Sequence, residues 1–135
     1  MFIEPINTTK DSLELVGGKG RSLARMTNAG FDVPGGFLVN ADTYRAFIAE
    51  NDLQSQILEF ASPELRDGYP VFDACAEKIR ALIMSRSVGD AMSADIKAAY
   101  SNLDQEQISV AVRSSANAED LPDFSFAGQQ ETFLN

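Results

Sequence analysis

The chain has 135 residues, 44% hydrophobic and 23% charged, enough for one core of a soluble globular domain. Its formal net charge of −9 excludes general nucleic-acid binding, which needs a basic footprint, but still allows a nucleotide held by a few local cations. One cysteine, no histidine and no apolar run near the ~20 residues of a membrane span exclude a disulfide framework, a His-based triad or His-ligated zinc within the chain, and a spanning helix.

In chain order, residues 2 to 16 read as irregular or as a short strand. "MFIEPINTTKD" lacks the basic and apolar regions of a secretory signal, so the expected location is cytoplasmic, with no membrane partner. "GGKGRSLARMTNAG" predicts a helix with Leu23, Met26 and Ala29 at helical spacing and Gly30 as its C-terminal cap. Pro34 and Gly35-Gly36 break that helix, and "FLV" reads as a short strand. Asn40 is placed to cap a helix over "ADTYRAFIAEN", with Tyr44, Phe47 and Ile48 on one face. Leu53, Ile57 and Phe60 form a further short amphipathic set, and Pro63 to Pro70 reads as a connection.

Phe72, Cys75, Ile79, Leu82 and Ile83 make a longer stripe to about Arg86, which makes Cys75 a small core residue rather than a nucleophile. Met92, Ile96, Ala99, Tyr100 and Leu103 mark another helix, with Asp90 or Ser93 as its cap. "ISVAVRSS" is the clearest strand, with Ile108, Val110 and Val112 alternating. Helices followed by a small sheet predict an α+β (mixed α/β) fold, with residues 1–135 as a single subdomain.

Two stretches have the chemistry of a phosphate site. Val16-Gly17-Gly18-Lys19-Gly20 leads into a helix, where glycines admit close backbone approach, a helix start favours an anion and Lys19 adds a mobile charge. It matches neither a Walker A loop nor a G-x-G-x-x-G fingerprint, and a tight turn with a solvated lysine is its plain alternative. Arg113 ends the clearest strand, and its rigid fork of donors suits phosphate oxygens. A surface pairing of Arg113 with Glu119, Asp120 or Asp123 is the competing reading. Those three acids could also bind Mg2+, but nothing in their spacing requires it, and solvated loop acids are the favoured reading. "SFAGQQETF" can form a small-residue lid over phosphates, with Gly128 for backbone approach and Thr132 as a hydroxyl donor.

Together, "GGKGRSLARMTNAGFDVPGGFLV" and "VAVRSSANAEDLPDFSFAGQQETFLN" resemble the N-terminal nucleotide-binding domain of the phosphoenolpyruvate synthase and pyruvate, phosphate dikinase superfamily, which rifampin phosphotransferases share. The resemblance covers essentially the whole chain, although residues 45 to 105 carry no signature. The ending is more similar to phosphoenolpyruvate synthases and rifampin phosphotransferases than to the dikinases. Asn117, Phe124 and Gly35 depart mildly from the usual pattern.

The resemblance implies the first lobe of an ATP-grasp-like domain, cut short relative to the family's full ATP-binding domain. It implies Lys19 and Arg113 as phosphate-contacting cations, Gly128 as the backbone-approach position, and Thr132 with Phe133 on the far side of the phosphate loop. ATP and Mg2+ are the implied cofactors. In the family, ATP gives its β-phosphoryl group to a histidine on a mobile domain, which then serves pyruvate or rifampin. The implied partners are therefore a second ATP-binding lobe and a phosphohistidine domain, and no residue of this chain is expected to be catalytic or to ligate metal. The expected function is the ATP-binding lobe of a phosphoenolpyruvate synthase-like phosphotransferase. The alternatives are a rifampin phosphotransferase lobe, a stand-alone nucleotide-binding or regulatory remnant, and an inactive fragment. An uncovered apolar face is expected to drive self-association.

Overall fold

The structure is a computed structural model, and it describes residues 2–8, 12–103, 109–116 and 132–134. These form helices α1 (Leu13–Asn28), α2 (Ala41–Glu50), α3 (Gln54–Phe60), α4 (Asp73–Met84) and α5 (Asp90–Ser101). The strands are β1 (Ile3–Pro5), β2 (Phe37–Val39), β3 (Glu64–Arg66), β4 (Tyr69–Val71), β5 (Ala111–Arg113) and β6 (Thr132–Leu134). Each strand pairs antiparallel with one other, as β1-β2, β3-β4 and β5-β6. The fold is thus α+β, as expected. Its strands, however, are interleaved with the helices rather than gathered at the end.

Two compact units emerge, Met1–Thr43 with Ala91–Asn135, and Tyr44–Asp90. In the first, Ile3, Ile6, Val16, Ala24 and Met92 are buried. Asn40 and Thr43 are buried polar residues, and both are satisfied. Asn40 caps α2 as expected: the Thr43 backbone N–H donates to its Oδ1 at 3.1 Å. Asn40 Nδ2 donates to Glu4 Oε1 at 3.1 Å, and the Thr43 hydroxyl lies 2.6 Å from the Phe2 carbonyl oxygen. The cap thereby ties the start of α2 to the β1 edge.

In the second unit Leu53 is fully buried, with Ile48 and Cys75 also inside. The buried Cys75 thiol lies 3.0 Å from the Phe72 carbonyl oxygen, which suits the core role expected of it. Pro63 to Pro70 is not a plain connection. It contains most of the β3–β4 hairpin, closed by Asp67 and Gly68, both at positive φ (52° and 83°). That is the Asp-Gly turn whose twist matches paired strands.

Other expectations need correction. The stripe of Leu23, Met26 and Ala29 is not the buried side of α1: Met26 and Ala29 are exposed, and Leu23 is half-buried. The buried residues of α1 are Val16, Gly17, Gly18, Gly20 and Ala24, and at Gly20 the missing side chain lets the helix approach Leu38 of β2 closely. Tyr44 and Phe72 also stand exposed. The clearest predicted strand is regular only over Ala111–Arg113, and Val112 in it is exposed. Ile108 lies outside the described residues.

Gly30 terminates α1 as expected. At φ 83° it donates its N–H to the Thr27 carbonyl, while the Phe31 N–H reaches back to Met26. This pair of bonds satisfies carbonyls that the helix end would leave open.

Candidate functional site

The glycine-rich stretch leads into a helical segment, as expected, and also separates it from a short helical turn before it. Gly17, at φ 68° and ψ −179°, splits α1 into a first turn over 13–16 and a longer segment over 18–28. In an unbroken helix the Gly20 N–H would bond to the Val16 carbonyl. Here the Ser115 hydroxyl is inserted between them. Its Oγ accepts from the Gly20 N–H at 3.0 Å and donates to the Val16 carbonyl oxygen at 2.6 Å. Beside it, the Gly18 N–H donates to the Ala116 carbonyl oxygen at 3.0 Å.

The glycines are required by this seam. A Cβ on Gly17 would lie 2.5 Å from the Ser115 carbonyl carbon, with the carbonyl oxygen nearer still. A Cβ on Gly20 would meet Val16 Cβ at 3.1 Å and both Leu38 methyls at 3.4 Å. Two of the first amides of the 18–28 segment are therefore engaged by residues about a hundred positions away, and the end of β5 is fixed against the helix start.

Lys19 sits between the two tied glycines and is half-buried. Arg113 is the last residue of β5, two positions before Ser115, and it is exposed. In the β5–β6 ribbon, Arg113 is directly opposite Thr132, and Val112 is opposite Phe133. Side chains alternate along a strand, so Arg113 and Thr132 share one face while Phe133 and Val112 share the other. The structure thus brings Arg113 and Thr132 together, brings the Lys19 backbone to the same seam, and turns Phe133 to the ribbon's far side. Gly128, Glu119, Asp120 and Asp123 lie outside the described residues.

Sequence reasoning missed the role of Ser115. Its only local signal is a Ser-Ser pair after a strand, and its partners are 95 and 99 residues away. Among the described residues no three Asp, Glu or Cys side chains gather as metal ligands. Among them, too, no helix is long and apolar enough to cross a membrane.

The chain is 43% identical over 127 residues to the probable phosphoenolpyruvate synthase of Methanocaldococcus jannaschii, covering 91% of this chain and 11% of that protein. It is 42% identical over 137 residues to the phosphoenolpyruvate synthase of Neisseria meningitidis, covering 96% of this chain and 17% of that protein. With the phosphoenolpyruvate synthase of Pyrococcus furiosus the identity is 37% over 163 residues, covering 94% and 20%. The chain therefore spans at most about a fifth of the length of these relatives. The sequence profile described as "Pyruvate phosphate dikinase, AMP/ATP-binding domain" matches residues 13–135, most of the chain and both sides of the seam. The chain belongs to the pyruvate phosphate dikinase AMP/ATP-binding domain family.

Proposed function

We propose that the chain forms the phosphate-facing part of an ATP site in a cytoplasmic phosphotransferase of the phosphoenolpyruvate synthase type. Lys19 and Arg113 hold phosphate oxygens, Arg113 as a two-pronged donor and Lys19 as a point charge. Thr132 adds a hydroxyl donor beside Arg113, Gly128 is where backbone comes close to the phosphates, and Phe133 backs the ribbon from its other face. The observation that carries this reading is the seam itself. Ser115 and Ala116 join a helix start bearing Lys19 to a strand end bearing Arg113, within a family described as AMP/ATP-binding. Two cations at one junction supply charge-assisted donors for a polyphosphate, while the Gly18 and Gly20 amides beside them are taken up by the seam.

The chain has no histidine, so in this reading the phosphohistidine is on another domain. A second lobe closes over the nucleotide. The whole protein would convert ATP, pyruvate and water to phosphoenolpyruvate, AMP and phosphate. Mg2+ offsets the phosphate charge in such transfers. The described residues offer it no cage, so the ion would be held by the nucleotide's own oxygens and by ligands from elsewhere.

An ATP titration of the chain tests the reading. Saturable binding is expected, weakened about tenfold or more by Arg113→Ala and only partly restored in Arg113→Lys. The chain alone should release no AMP or phosphate from ATP, Mg2+ and pyruvate. Absence of saturable binding, or unchanged affinity in Arg113→Ala and Lys19→Ala, overturns the reading.

A further inference from the structure

We propose that Ser115 is a positioning residue of the nucleotide site, holding Lys19 in register with Arg113 by standing inside the opened first turn of α1. The inference rests on the ATP-site reading above. Its basis is the double use of one hydroxyl. Ser115 Oγ accepts from the Gly20 N–H at 3.0 Å and donates to the Val16 carbonyl oxygen at 2.6 Å. These two backbone groups would have bonded to each other had Gly17 been helical. A side chain inserted into the helix ladder needs both a donor and an acceptor on one atom, which an alcohol supplies and a methyl group does not.

The consequence for the site is geometric. Lys19 lies between Gly18 and Gly20, and both neighbours are bonded to residues 115–116. Arg113 lies two residues before Ser115 on the same segment, at the end of the β5–β6 pairing. Hydrogen bonds across the seam help set the offset between the two cations, and the Ser115 hydroxyl makes two of them beside the Gly18 to Ala116 bond. Without that hydroxyl the Gly18 to Ala116 bond remains, but the two bonds that tie the opened turn of α1 to Ser115 are lost, and the rotation of the helix start against the strand end is held less firmly. The two backbone groups it served, on the buried residues Val16 and Gly20, are then left open. A polyphosphate gripped from two sides loses affinity when its grips lose register. Ser115 touches neither the nucleotide nor the reacting atoms in this account.

ATP titrations of the full chain, paired with thermal melts and amide hydrogen exchange, test the inference through Ser115→Ala, Ser115→Thr, Lys19→Ala and the double variant Lys19→Ala/Ser115→Ala. Ser115→Ala is expected to remain folded, to speed exchange at the Gly20 amide, and to weaken ATP binding about fivefold or more. Ser115→Thr keeps the hydroxyl and should restore affinity. Because Ser115 acts through Lys19, its loss should cost less than about twofold once Lys19 is already alanine. If Ser115→Ala fails to fold, Ser115→Cys, with its weaker donor and acceptor, carries the same measurements. A lowered melting temperature with unchanged ATP affinity overturns the inference and leaves Ser115 a stabilising residue only. Full additivity with Lys19→Ala overturns it as well. If Lys19→Ala and Arg113→Ala weaken binding while Ser115→Ala does not, the ATP-site reading stands and this inference alone fails. If the unaltered chain does not bind ATP, both fail together.

Discussion

At the scale of single residues, a glycine inside α1 and one just beyond its end separate conformational need from spatial need. Gly17 and Gly30 both have positive φ, at 68° and 83°. Around Gly30 a Cβ would find open space, whereas at Gly17 it would run into the Ser115 backbone. Gly30→Ala should therefore cost only the backbone term, about 1–2 kcal/mol. Gly17→Ala adds a collision to it and should cost ~3 kcal/mol or more. Urea denaturation midpoints of the two variants measure the difference, and equal costs would remove the steric account of the seam. The glycines themselves were legible as positions of close approach. What approaches them was not. Sequence pattern suggested a phosphate, but the Ser115 backbone is what occupies the space beside Gly17. The bond from Gly20 to Ser115 spans 95 residues, and no local periodicity encodes a partner so far along the chain.

At the scale of elements, caps and turns were more legible than faces. Asn40 was identifiable because an N-cap requires one side-chain oxygen three residues before a backbone N–H, and Thr43 is in that place. Asn40→Ala should destabilise the chain by about 1–2 kcal/mol, as the cap and the bond to Glu4 go together. A thermal melt reads this directly, and an unchanged midpoint would mean that the β1 edge holds α2 without the cap. The Asp67-Gly68 turn carried an equally local signal, and reading Pro63 to Pro70 as a connection overlooked it. The buried face of α1 was illegible for a different reason. Bulk marks a core stripe in a sequence, but the buried residues of α1 include Gly20 and Ala24, which have little or no side chain, while Met26 is exposed. Strands of three residues are likewise too short for alternation to set their bounds.

At the scale of the whole molecule, apolar surface remains uncovered where the site elements lie. Val112 is 60% exposed, Phe133 62% and Leu134 78%, on both faces of a ribbon that has two strands among the described residues. Such a ribbon is marginal in water unless something packs on it. The hairpin of the other unit leaves Leu65 and Tyr69 exposed too. Relatives at least about five times longer have chain available to cover corresponding surfaces. A second copy of this chain offers apolar surface of the same kind, so reversible self-association is expected. Sedimentation velocity across a concentration series should show a boundary that moves faster as concentration rises. Val112→Thr combined with Leu134→Thr, which keeps strand propensity while removing apolar area, should shift that series toward the monomer. A single monomeric boundary at every concentration would mean that the exposed ribbon is too small or too polar at its rim to recruit a second copy. A series unchanged by the double substitution would move the associating surface to the hairpin, where Leu65→Lys is the next variant to measure.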